Sequence, residues 1–255
     1  MIEQVHDLPE LSSELYEKAR ENMSQGRAAF FLASGKMASG KDTIGAGVMA
    51  QAGYPDAAAH SFATALKEDV NIMLAITREG GYNRNSIVAF CVNHLRIPAE
   101  QARKLATMLI REGSQQAVTA RSRTSGMREL LQYYGADVRR SQQDDYWVVR
   151  GLRNILSDLA DGKSVYVTDA RFPNEIIHSS NAGATVVRLT VSPPEQRVRL
   201  LSRDGVLPAE SAFSHVSETS LDTFQFDHVI NTDAHSVDAV IELASRTLPR
   251  AAVFA

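Results

Sequence analysis

The chain has 255 residues and a formal net charge of −3, long enough to bury a substantial core and too acidic for a general nucleic-acid coat. Its 44% apolar and 22% charged residues suit a soluble globular protein, and its single cysteine, Cys91, excludes a disulfide framework or a cysteine-based zinc cluster. No apolar run approaches the ~20 residues that span a bilayer, and the mixed-charge N-terminus lacks a signal-peptide pattern, so a cytoplasmic protein is expected.

An amphipathic helix is predicted over about residues 8–23 and a short buried parallel strand over Arg27–Ala33. Next come Gly35-Lys36-Met37-Ala38-Ser39-Gly40-Lys41, then Asp42 and Thr43, and a helical stretch from Thr43 to Ala52. G-x-x-x-x-G-K between a strand and a helix is the context of a phosphate loop. Amides between the glycines turn inward as an anion nest. Lys41 reaches the outer phosphates, and the helix adds its positive end. In the usual pattern a Ser or Thr follows the lysine and its hydroxyl binds Mg²⁺. Here Asp42 follows, and the hydroxyl arrives one place later at Thr43. A carboxylate there either holds Mg²⁺, directly or through water, or repels the nucleotide. The bland alternative is a glycine turn with no ligand; the flanking strand and helix argue against it.

Residues 57–62 suit a second strand, and Ala63 to Ile76 a helix carrying Lys67. Residues 78–125 are read as an insertion over one side of the core. They comprise a polar loop to Arg84, an apolar stretch from Ser86, a helix from Pro98 to Arg111 with proline at its start, and a polar tail holding Arg121 and Arg123. The set of apolar residues around Cys91 makes it a packing residue. A helix over Met127–Tyr134 is expected to end at Gly135, and Asp145–Leu159 has apolar residues at helical intervals, Trp147 among them. A strand over Ser164–Asp169, a helix over Glu175–Ala182, a strand over Thr185–Val191 and a helix over Pro193–Ser202 follow. Strand 227–231 and helix 236–247 close the chain. This alternation predicts an α/β, three-layer P-loop NTPase-type fold, a mostly parallel sheet with helices on both faces, plus the helical insertion and a lid. One domain is expected over 1–255: an N-terminal helix in 1–26, a core of 27–77 and 126–255, and the insertion 78–125.

A phosphate loop needs a carboxylate at the end of a neighbouring strand to orient hydrated Mg²⁺. Asp169 ends a strand, at the sheet edge where α/β proteins bind ligands; a plain strand-end cap is the alternative. Arg171 can fork onto phosphate oxygens, and Glu175 can meet a ribose hydroxyl or orient Arg171. Phosphoryl transfer gathers negative charge that only cations balance, which selects Lys67, Arg128, Arg171 and Arg203 ahead of Arg197 and Arg199. Trp147 either stacks on a base or packs in the core. The segment Ser214–Glu218 is read as a loop near the lid, with no second histidine for a metal site.

Together these motifs resemble those of bacteriophage deoxynucleoside monophosphate kinases, a branch of the P-loop nucleoside monophosphate kinase fold. The resemblance rests on GKMASGKDT at Gly35–Thr43, FATALK at Phe62–Lys67, RELLQYYGAD at Arg128–Asp137 with Trp147 after it, TDARFPNE at Thr168–Glu175, SHVSE at Ser214–Glu218 and FDHVINTD at Phe226–Asp233. It implies ATP-dependent phosphorylation of a deoxynucleoside 5′-monophosphate. Gly35, Lys36, Ala38, Ser39, Gly40, Lys41, Asp42, Thr43 and Arg203 are then expected at the ATP phosphates. Lys67, Arg128, Gly135, Trp147, Asp169, Arg171 and Glu175 are expected at the acceptor. Lys41, Arg128, Asp169 and Arg171 become the catalytic set, with Mg²⁺ near Asp42, Thr43 or Asp169 and a lid after Leu200–Gly205. The implied partners are small nucleotides, with neither nucleic acid nor membrane; dimerisation through the N-terminal helix or the insertion stays open. Rival readings are a kinase of another small acceptor, such as dephospho-coenzyme A, and a P-loop ATPase or switch.

Overall fold

The computed structural model describes residues 11–114, 119 and 124–252. They divide into two compact units, Ala63–Gly151 and Leu11–Phe62 together with the residues from Leu152 onward. Among the described residues, no helix is long and apolar enough to cross a membrane.

The second unit holds the sheet: β1 (Phe30–Gly35), β2 (Ala58–His60), β3 (Val165–Ala170), β4 (Thr185–Thr190) and β5 (His228–Asn231). All neighbouring strands pair in parallel, in the order β2-β3-β1-β4-β5. From β1 the chain passes to β2, leaving a gap that β3 fills; from β3 it crosses to the other side of β1. The C-terminal end of β1 therefore stands where strand order reverses, the place at which open α/β sheets bind ligands. Every residue of β1 is buried, as a central strand covered on both faces requires. On one face, Phe31, Ala33, Val187, Leu189 and Ile230 form a core with Ile44, Val48 and Met49 of α2 (Lys41–Ala52) and Val240 and Ala244 of α12 (Val237–Ser245). Strand alternation points Phe30 and Leu32 the other way, and both are buried. So are Leu152, Ile155, Leu156 and Leu159 in the second half of α7 (Tyr146–Ala160) and Ile176 of α8 (Pro173–Asn181). Helix α1 (Ser13–Ser24) begins at its Ser12 cap. Its Asn22 amide donates to the carbonyls of Leu159 and Ala160, 2.9 Å each, and Arg20 donates to the Asn181 carbonyl. The first strand starts three residues later than its apolar run suggested. Ala28 and Ala29 lead in, the amide of Ala29 held by Ser164 Oγ at 3.0 Å. The two outermost strands are the shortest, three residues in β2 and four in β5 against six in each inner strand.

The unit Ala63–Gly151 is helical: α3 (Ala63–Glu79), α4 (Arg84–Asn93), α5 (Ala99–Gly113), α6 (Ser125–Gln132), a π-helix over Tyr133–Arg140 and the start of α7. One apolar cluster joins Val70, Met73 and Leu74 of α3 with Ile87, Cys91, Leu105, Leu109, Met127, Leu130, Tyr134 and Trp147. The stretch set apart as an insertion thus shares its core with residues on either side of it, and the compact unit is wider than 78–125. The helix expected to stop at Gly135 instead runs on as the π-helix. Gly135 is buried and does not cap a helix; a Cβ there would come 3.0 Å from Leu66 Cδ2. Arg121 and Arg123 lie outside the described residues.

Candidate functional site

The loop after β1 has the geometry its glycines predict. A Cβ on Gly35 would fall 2.2 Å from Ser39 Oγ and 2.9 Å from the Leu189 carbonyl. Only glycine leaves the loop room to fold back on the strand. Gly40, at φ 89°, starts α2, and Ala38 is left-handed too, at φ 58°, a conformation that costs a non-glycine residue on the order of 1 kcal/mol. Ser39 is fully buried, and its hydroxyl has no hydrogen-bond partner among the described residues. Lys41 is 3% exposed, and its nearest carboxylate, Asp42, is 3.4 Å away. Burial lowers the Lys41 pKa, Asp42 opposes that, and the charge of Arg171 adds to the lowering. An orphaned hydroxyl, a desolvated cation and a cradle that a single methyl would fill make a site with the chemistry to accept an anion such as phosphate.

Side chains from distant segments hold the first half of this loop. The Met37 amide donates to Glu218 Oε2 at 2.7 Å, the Met37 carbonyl accepts from Gln196 Nε2 at 2.9 Å, and Lys36 pairs with Asp222 at 2.8 Å. Arg199, on α9 (Pro193–Asp204), donates to Glu195, to both Thr232 oxygens and, at 3.4 Å, to the Ala38 carbonyl. Arg199 thus braces the loop rather than facing solvent. Glu218 lies on α11 (Val216–Thr219), capped by the His215 ring, and is 6% exposed. Its second oxygen accepts from the Arg171 guanidinium. The sequence pattern places Glu218 in a loop near a lid; in the structure it lies on a short helix and bonds to the phosphate loop. The place of SHVSE among the resembling motifs was its only signal.

At the end of β3, Asp169 accepts from Ser61 Oγ at 2.6 Å and from the Phe62 amide at 3.1 Å. It clamps the turn that follows β2. Thr168 donates to Asp42 at 3.1 Å, so Asp42 is tied to both Lys41 and β3 while its side chain remains exposed. Thr43 is also exposed, at the start of α2. Each carboxylate oxygen of Asp42 and of Asp169 already accepts one bond, but Asp42 and Thr43 are exposed and so keep lone pairs open to a cation. Among the described residues, no group of three or more His, Cys, Asp or Glu is placed to hold a metal unaided. Mg²⁺ seldom needs one, because it binds through one or two carboxylates plus substrate phosphates and water. Glu175 is buried, and its Oε2 accepts the amides of Arg171 at 2.6 Å and Phe172 at 3.1 Å. Of its two predicted roles the structure shows the second: it fixes the arginine's backbone. Arg203 is exposed and forks onto Asp204 at 2.7 and 2.8 Å. Its pKa is raised first by that pair and further by the charge of Asp42.

Four predicted acceptor residues fall in the other unit. Lys67 is half-buried on α3 and Arg128 exposed on α6; neither forms an ion pair among the described residues. Trp147 is 3% exposed, its N–H donates to the Gly135 carbonyl at 2.9 Å, and its ring meets Tyr134 and Tyr146 edge-on. Its face is therefore not open for stacking on a base, and the core reading is the one the structure shows. Burial pushes the Cys91 thiol up to about 12, an inert packing residue. No protein-family model matches this chain, and no curated protein gives a significant match to it.

Proposed function

We propose that this protein transfers the γ-phosphoryl group of ATP to a deoxynucleoside 5′-monophosphate. The observation that carries the reading is the glycine loop at the reversal point of a parallel sheet, closing on a buried lysine and an unpartnered buried hydroxyl. Loop amides and Ser39 receive phosphate oxygens, and Lys41 regains at the β- and γ-phosphates the solvation it lost on burial. Arg171 neutralises charge that spreads over the transferred group. Asp42 and Thr43 would hold Mg²⁺, which would supply neutralising charge for the transfer. The acceptor phosphate is already an anionic nucleophile, so positioning and electrostatics suffice without a strong base. Assignment of the acceptor as a deoxynucleotide, and of Lys67 and Arg128 to it, follows from the motif resemblance.

The test is ADP formation from Mg²⁺-ATP with dAMP, dGMP, dCMP, dTMP and hydroxymethyl-dCMP offered separately, the products resolved by chromatography. At least one acceptor should become its diphosphate, and Lys41→Ala should remove that activity while leaving the fold intact. ADP released at one rate whatever the acceptor would replace the kinase with an ATPase or switch.

A further inference from the structure

Arg171 is held on three sides. Its amide donates to Glu175, its carbonyl accepts from Ser220 Oγ, and its guanidinium donates to Glu218. Glu218 spends its other oxygen on the Met37 amide, so one buried carboxylate ties the end of β3 to the phosphate loop. The segment bearing it is pinned again four residues on. Asp222 pairs with Lys36 at 2.8 Å and lies 3.8 Å from Arg188, whose guanidinium donates to Ser34 of β1 at 2.9 Å. Side chains of 218–222 thus fasten to Arg171 just after β3, to Arg188 of β4 and to the phosphate loop at once. These anchors define one arrangement of the segment against the loop.

We propose that Glu218 is the positioning residue of the phosphoryl-transfer site, setting the Arg171 guanidinium against the phosphate loop. The inference rests on the kinase reading above. A buried carboxylate bonded to an arginine fixes where that arginine's remaining donors point. The charge of Arg171 lowers the Lys41 pKa and that of Glu218 raises it, so without Glu218 the two cations repel and the arginine drifts. Glu218 supplies the counter-charge that keeps both in place before any phosphate arrives. It touches no reacting atom and acts only through Arg171 and Met37.

The experiment compares wild type, Glu218→Gln, Arg171→Ala and the double variant, in the kinase assay and by ATP titration. Glutamine keeps a carbonyl oxygen for the Met37 amide but turns an N–H₂ toward Arg171, so it breaks the arginine pair selectively. Glu218→Gln should lower kcat by about 10- to 100-fold, as loss of reacting-group alignment does, while KM for ATP moves less than threefold and the melting curve stays cooperative. The double variant should be no slower than Arg171→Ala alone, which a merely structural glutamate would not produce. Additive losses, an unchanged Glu218→Gln enzyme, or one that is faster and binds ATP more tightly would overturn the proposal; the last would make Glu218 an anion that blocks the nest. If wild type phosphorylates none of the acceptors, the kinase reading falls and the melting temperatures of the four proteins decide. Non-additive shifts then retain the pairing of Glu218 with Arg171, and additive or absent shifts end it.

Discussion

Gly35 and Lys41 carry the two most direct consequences of the loop's geometry. Gly35→Ala puts a methyl against a carbonyl that cannot move, so the loop must shift; the cost is about 1–3 kcal/mol of stability. Urea denaturation should show that loss, and ATP binding should weaken with it. Lys41 works in the opposite sense. Its folded pKa lies below that of an exposed lysine, so the unfolded chain binds this proton more tightly. Stability of the ligand-free protein should therefore rise as pH climbs through the folded pKa toward that of a free lysine. Lys41→Met removes the buried charge. It should match or exceed wild type in melting temperature at pH 7, an advantage that shrinks at higher pH, and should lose the upward shift that ATP gives wild type. Both residues were legible in the sequence, because a phosphate loop is encoded within nine consecutive positions. Glu218 was not. Its partners Arg171 and Met37 stand 47 and 181 residues away, and nothing local marks a glutamate that only the fold brings to a loop.

Among the elements, the π-helix was the least legible. Gly135 after an amphipathic run reads as a helix stop, yet here it makes room for Leu66 and lends its carbonyl to Trp147. Packing, not propensity, carries the helix through. The same region builds a polar cluster inside the apolar one. Asp69 accepts from Tyr134 OH at 2.9 Å and from Arg150 at 2.8 and 2.9 Å, and Arg139 donates to Tyr134 OH at 3.0 Å and to the Leu95 carbonyl at 2.9 Å. Burial and the charge of Asp69 together hold the Tyr134 hydroxyl well above its usual pKa, so it remains a donor. Asp69→Ala leaves the Arg150 guanidinium without its anion and the Tyr134 hydroxyl without its acceptor, and should cost about 3–5 kcal/mol. Tyr134→Phe should cost about 1–3 kcal/mol. Because the two share partners, the double variant should lose less than the sum in chemical denaturation.

For the whole molecule, alternating strand and helix patterns foretold a parallel sheet but not its order, which depends on the side of β1 to which each crossover returns. They also could not show that 63–77 and 126–151 share a core with the stretch between them, since the apolar faces meet only after folding. The kinase reading predicts where ligand protection appears. ATP alone should slow amide exchange in 35–43 and 216–222 and leave α4 and α5 unchanged, measured by hydrogen exchange with mass spectrometry. Uniform slowing, or none in the loop, would count against the nucleotide site. The brevity of β2 and β5 has a consequence of its own. A sheet grows by adding chains at its margins, and a margin of three or four residues offers a newcomer few rungs to climb. Edge-to-edge growth of the sheet from one copy to the next is therefore disfavoured in the native fold.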